Sequence, residues 1–416
     1  MDDGMKEFHL MPSSRAVLLV LTGICASFLS DGAVAAADEP GAEEAAYVKR
    51  FTEKFPRVDP VPALENYADP GRFDTLFMGP ALDATLKDVQ NDSAAIAWWI
   101  SYYMRALNDM HRATGDVKYL EANLRFVRAV AAATDDKRGR QLFTGRVVKA
   151  WGCEKYAERG RAVFAVHTGI ITAQLLDFLI LAKGVPAFNE SLGAERDTLL
   201  QVCLDALAVH DRQWREGPEP GAGYYLGMDQ ENSLENKPIP ANRQSAMGWA
   251  LWLAWKHTGD TALRDRALAI GRYLRNRFVH ATDGAIYWPY QLAEQPVTGE
   301  QPREAIKGED SSHAGLTLAL PLLLAQEDQV FTKDDLAQLA KMVLNGPARR
   351  ADGILLTSIT GGAVLDPSYL GYPINYLPLA KVEPEIGKRI TAYYLNYRPS
   401  PQALDLAGLI RFVRQK

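Results

Sequence analysis

The chain has 416 residues, 47% hydrophobic and 23% charged, with a formal net charge of -5. This is the composition of a globular chain with enough apolar residues for a large core. It carries no basic run, so it lacks the concentrated cationic face that nucleic-acid backbones require.

At the N-terminus Arg15 precedes the apolar run AVLLVLTGICASFLS and then the small residues GAVAAADEP. That layout is a secretion signal, with cleavage expected near Ala35 to Ala37. Residues 1–37 therefore read as a signal peptide and 38–416 as one domain. The residues before Arg15 form a long, partly acidic leader, and Met11 is an alternative start. Ile24 stands directly before Cys25, where a lipoprotein would carry a small residue. The run is short for a membrane span, the alternative being a retained anchor helix. The expectation is a periplasmic or secreted protein with no membrane span after cleavage. Cleavage leaves Cys153 and Cys203, 50 residues apart, with nothing to indicate proximity. Cys203 lies in an apolar helical pattern and reads as a buried thiol.

From residue 90 onward, helix-period patterns alternate with Gly, Pro, Asn and Asp. WWISYYMRALNDMHRATGDVKYLEANLRFVRAV (98–130) and NRQSAMGWALWLAWKHTGDTALRDRALAIGRYL (242–274) are copies of one helix pair. Their TGD turns align at Gly115 and Gly259, an offset of 144. Two more pairs lie at 166–214 and 311–346, and a shorter one begins at YPINY. First helices start near 98, 167, 242, 313 and 372. An early element around 43–55 or 80–90 would complete a ring. The first helix of each pair is apolar nearly all round and the second is one-sided, so the first belongs inside. The predicted fold is all-α: an α/α toroid of about six helix hairpins, with an open α-solenoid as the alternative.

In such a ring the inner N-termini gather at one end. Three of them carry unusual residues: His167 in AVHTG, Asn242 and Arg243 in PANRQS, and His313 in GEDSSHAG. Helix starts offer unpaired N–H groups and partial positive charge, which suit anions such as a uronate carboxylate. Asp310 or Ser311 reads as the cap of the last helix. Asn242 reads as an N-cap, and Arg243 sits where a helix start disfavours a cation. The loop GAIYWPYQLAEQP supplies Tyr287, Trp288 and Tyr290, GYPINY supplies Tyr372, Asn375 and Tyr376, and YYLGMDQENSLENK supplies Asp229 and Glu231. Aromatic faces stack on sugars, and a tyrosine hydroxyl can transfer a proton. Trp249, Trp252 and Trp255 read as packing between helices. Glu154, in WGCEKY, is a weaker candidate. The chain has no GxxxxGK[ST], GxGxxG, CxxC or HExxH, so no cofactor or metal is expected.

The repeat layout, the signal and the NRQ and EDSSH helix starts together resemble secreted bacterial α/α-toroid proteins acting on polysaccharides. These include uronate polysaccharide lyases, the helical domain of glucuronyl C5-epimerases and several glycoside hydrolases. The resemblance covers most of residues 90–400 and is architectural. The Asn-Asn-His run of some alginate lyases is missing.

The resemblance implies a polysaccharide or oligosaccharide substrate. A lyase would use Asn242 and Arg243 on the carboxylate, His313 as base, Tyr290 or Tyr372 as acid, and His167 to position the sugar. Tyr287, Trp288 and Tyr372 would contact the substrate. A C5-epimerase would use the same set. A glycoside hydrolase would pair Glu309 or Asp310 with Asp229 or Glu231. A non-catalytic glycan-binding protein of the envelope would have aromatics in the cleft without converging acid–base groups.

Overall fold

The computed structural model describes residues 40–228, 234–362 and 366–415; the expected signal segment lies outside them. Six inner elements form the ring: α3 (a π-helical turn, Ile96–Ile100, running into Ser101–Thr114), α5 (Ala165–Lys183), α7 (Ala241–Thr258), the broken helix α9 (Ser311–Thr317) and α10 (Ala319–Gln326), a 3₁₀ segment (Pro373–Lys381), and α13 (Ala403–Arg414). Each packs on the next, and α13 returns to α3 to close the circle. The outer layer is α4 (Lys118–Ala132), α6 (Glu195–Ala208), α8 (Thr261–Arg275), α11 (Lys333–Asn345) and α12 (Pro384–Tyr397), with α2 (Pro70–Phe77) behind α13. The fold is an α/α toroid.

The sixth inner position differs from expectation. It is filled by the C-terminal α13, joined to α3 by Arg411 Nη1 and Asp109 Oδ1 at 2.7 Å. The early segment, α1 (Pro40–Lys54), lies outside the ring, where the Tyr47 hydroxyl donates to the Leu355 carbonyl. The short helix Pro80–Thr85 packs on α2. Among the described residues, α2 from the N-terminal part of the chain packs on the outer side of α13.

The repeated turn has one chemistry in both copies. Gly115 and Gly259 end their helices at φ 72° and 78°, conformations a side chain would strain. The preceding threonines, Thr114 and Thr258, accept from the N–H groups of Asp116 and Asp260. The aspartates in turn accept from Lys118 and Ala262 at the next helix start. Proline explains the irregular inner elements. Pro373 and Pro378 remove donors from the 3₁₀ segment, and Pro321 leaves the Thr317 carbonyl without its helical partner where α9 breaks from α10.

α5 is apolar nearly all round because the ring encloses it. α5 is the one described helix long and apolar enough to cross a membrane, and 89% of that window is buried in the ring. α5 and α7 approach closely at Gly169, where a Cβ would stand 2.6 Å from the Ala246 carbonyl carbon. Cys153 and Cys203 are both buried and unpaired.

Candidate active site in the ring lumen

A second apolar cluster, separate from the main core, lines the lumen. It contains Ile170, Ala246 and Leu316, with Trp98, Tyr102 and Trp249 half-buried against it. Residues from α3, α5, α7 and α9 thus meet near their N-terminal ends, where Trp98, Tyr102 and Trp249 keep part of their surface exposed.

At the mouth of the lumen, Asp310 caps α9. Its Oδ1 accepts from the N–H groups of Ser312 (3.0 Å) and His313 (3.1 Å) and from the Ser312 hydroxyl (2.9 Å). Its Oδ2 lies 2.5 Å from His313 Nδ1. A carboxylate only accepts, so Nδ1 carries the proton and Nε2 is the open position of the neutral ring. The His313 side chain keeps 21% of its surface exposed. Burial disfavours the imidazolium, but the hydrogen bond and charge of Asp310 outweigh it and raise the His313 pKa above its usual value. Tyr290 meets the imidazole edge-on, with ring centroids 5.1 Å apart. Arg243 Nη2 lies 3.4 Å from the Tyr290 hydroxyl. The Arg243 charge opposes protonation of both His313 and His167, so it acts on the two histidines together.

His167 is 1% exposed, among Trp98, Tyr156 and Phe164. Burial, aided by Arg243, lowers its pKa to about 3, so it is a neutral wall residue. Its Nδ1 is 3.4 Å from Asn91 Nδ2.

Several expected roles do not fit the structure. Asn242 is not the cap of α7: Pro240 holds that position, with no side-chain bond. Asn242 is buried and its Oδ1 has no partner among the described residues. Gln244 secures this helix start instead, bonding both backbone groups of Tyr225. Tyr287 and Trp288 cannot stack on a sugar because both are fully buried. Tyr287 donates to Asp283, and the Trp288 ring stacks on Phe278. Glu309 is also sealed, so it cannot reach a glycosidic oxygen. Glu154 sits outside the lumen wall, paired with Arg140 and Arg161. Tyr376 is buried and donates to the Ser311 carbonyl. Asp229 and Glu231 lie outside the described residues. Tyr372 does line the lumen, its ring 4.5 Å from that of Tyr102.

Three lumen residues had no functional reading in the sequence: Trp98, Tyr102 and Arg105. Their spacing puts them on one face of α3, a signal that becomes readable once that helix is assigned to the inner ring. Trp249 joins them, whereas Trp252 and Trp255 face away and line a surface groove of about 390 Å³ with Arg264 and Glu327.

Glu309 makes a testable contribution to stability. Its Oε2 accepts from Trp288 Nε1 (2.5 Å) and the Thr317 hydroxyl (2.7 Å), while Oε1 has no partner among the described residues. Burial raises its pKa from 4.5 to about 8, which keeps it neutral at pH 7 and leaves Asp310 to carry the effect on His313. The folded protein therefore holds a proton that the unfolded chain releases. The associated stability is present below pH 4.5 and is lost as pH rises from 4.5 to about 8. Glu309→Gln is expected to flatten this dependence, gaining on the parent by up to about 1.4 kcal/mol per pH unit in that window. Urea denaturation across the window measures it, and parallel pH profiles would contradict a neutral Glu309.

No protein-family model matches the chain, and no curated protein matches it. Among solved structures, the chain is similar to an inactive variant of the α-1,6-mannanase GH76A of Salegentibacter sp. HEL1_6, in which two adjacent aspartates are replaced by alanine, in complex with α-1,6-mannotetrose. Identity is 13%, coverage is 85% of this chain and 99% of that one, and the TM-score is 0.52. The unsubstituted mannanase gives 13% identity, coverage of 85% and 97%, and a TM-score of 0.50. At this identity the likeness is one of fold.

Proposed function

We propose that the chain is an exported carbohydrate-active enzyme that binds an oligosaccharide or polysaccharide in the ring lumen and transfers a proton with His313. One observation carries this reading: an Asp310–His313 pair with an open Nε2, beside Tyr290 and Arg243, at the mouth of an aromatic-lined space. The pair has the parts of a general base. Asp310 fixes the tautomer and orientation of the ring, and Nε2 takes the proton. Arg243 is a cation at a helix start, suited to a carboxylate whose charge grows as the neighbouring C–H is broken. Tyr290 supplies a hydroxyl for the leaving oxygen. This set suits β-elimination on a uronate-containing chain, and C5-epimerisation if the proton returns on the other face.

Glycoside hydrolysis is the second reading. It is favoured by the fold neighbours, which are named as α-1,6-mannanases. It needs two carboxyl groups. Asp310 is one candidate, and the segment holding Asp229 and Glu231 is the candidate source of the other.

The test is a panel of uronate polysaccharides and neutral mannans incubated with the mature protein. Ultraviolet absorbance from a new C4–C5 double bond is expected on a uronate polymer. New reducing ends without that absorbance would replace elimination by hydrolysis. No change on any polymer would count against catalysis in the lumen.

A further inference from the structure

Arg105 stands on the ring axis. From α3 its Nη1 donates to Asn375 Oδ1 on the 3₁₀ segment at 2.8 Å. Its guanidinium carbon lies 5.5 Å from the centre of the Trp249 ring on α7. The charges of Asp177 on α5 and Arg411 on α13 also act on it. A side chain within reach of four other inner elements is in the middle of the ring. Asn375 itself packs beside Gly315 of α9, where a Cβ would come within 3.0 Å of its amide nitrogen.

Beyond Arg105 the ring is filled. Asn108, Asp109, Gln174 and Asp177 are all buried there. Arg411 pairs with Asp109 at 2.7 Å, and Arg112 and Asn108 each donate to Asp177 at 2.9 Å. These groups close the ring one helical turn beyond Arg105. Three guanidinium groups (Arg105, Arg112, Arg411) face two carboxylates (Asp109, Asp177), which leaves one positive charge in excess. The nearest carboxylate to Arg105 is Asp109, with Nε and Oδ2 4.0 Å apart, and Asp109 is shared with the other two arginines. Arg105 Nη2 has no hydrogen-bond partner among the described residues, and 24% of the side chain is exposed. The floor thus offers a cation that shares its one carboxylate with two other arginines, with an open N–H edge, an amide beside it and aromatic faces around it.

We propose that Arg105, with Asn375 and Trp249, forms the terminal subsite of the lumen and holds the carboxylate of a chain-end uronate, so that the enzyme acts from a chain end. This rests on the reading of the lumen as a carbohydrate site. A guanidinium fork matches a carboxylate in geometry and charge, and the indole face packs on the sugar ring.

The experiment is calorimetric binding of trimers of galacturonate, glucuronate and mannuronate to His313→Ala protein, each against its carboxyl-reduced counterpart. The charged form of at least one trimer is expected to bind more tightly. Adding Arg105→Gln is expected to reduce that preference roughly 10- to 100-fold. Arg105→Lys should keep part of it. Asn375→Asp should abolish it, because the new carboxylate both repels the ligand and neutralises Arg105. Thermal melting shows that each variant folds; if Arg105→Gln does not, the other two substitutions carry the test. A folded Arg105→Gln protein that keeps the full preference, a parent that binds charged and reduced trimers equally, or internal cleavage of polymers to long products would overturn the subsite alone. If no trimer of either kind binds, the carbohydrate reading fails as well.

Discussion

Replacing His313 by alanine is expected to lower kcat/KM by roughly 10²- to 10⁴-fold, the range for loss of a positioned general base. The fold should tolerate it, since Asp310 still caps α9 through the backbone N–H groups of Ser312 and His313. A base acts in its neutral form, and the His313 pKa lies above 6.5. Activity should therefore rise with pH through a value above 6.5. Asp310→Asn removes the charge that raises that pKa, leaving burial and Arg243, which lower it. The rising limb should move to lower pH while the maximum rate falls, because the tautomer is no longer held. The pH profiles of kcat/KM for the three proteins provide the check. An unshifted limb in Asp310→Asn would show that the limb belongs to another group.

Arg161→Ala is expected to destabilise the protein by about 3–5 kcal/mol, the cost of leaving a buried charge without its partner. Arg161 is 5% exposed and Asp135 fully buried. Its Nε and Nη2 bond the two Asp135 oxygens at 3.0 and 2.7 Å, Nη2 also reaches the Gly152 carbonyl at 3.0 Å, and Nη1 reaches Asp92 at 2.6 Å. This network fixes the loop from 143 to 163 against the ring, and with it Tyr156 beside His167. The double substitution Arg161→Met with Asp135→Leu should restore most of the loss, because no lone charge then remains. Urea denaturation midpoints of the three proteins decide it. A single variant within about 1 kcal/mol of the parent would mean that the Asp135 charge is solvated or neutralised another way.

The ring was legible because α5 and α10 are apolar nearly all round and the TGD turns recur. The closing helix was not, since ALDLAGLIRFVR looks like an ordinary one-sided helix until the ring encloses it. Of the candidate site, the EDSSH cap and the misplaced cation at Arg243 were visible as local anomalies at helix starts. Trp288 was misread because a loop aromatic looks exposed in sequence; here the loop folds inward and stacks that ring on Phe278. Arg105 was missed because a single arginine within a helix says nothing until four other inner elements define what it faces.

Proton abstraction by His313 is tested most directly by release of a C5 deuterium label to solvent from a labelled uronate oligomer, followed for the parent and His313→Ala. Elimination and epimerisation both break that bond, and hydrolysis does not. The parent is expected to release the label, and the variant to do so more slowly by roughly 10²-fold or more. New reducing ends with the label retained, or release that His313→Ala leaves unchanged, would contradict proton abstraction by His313.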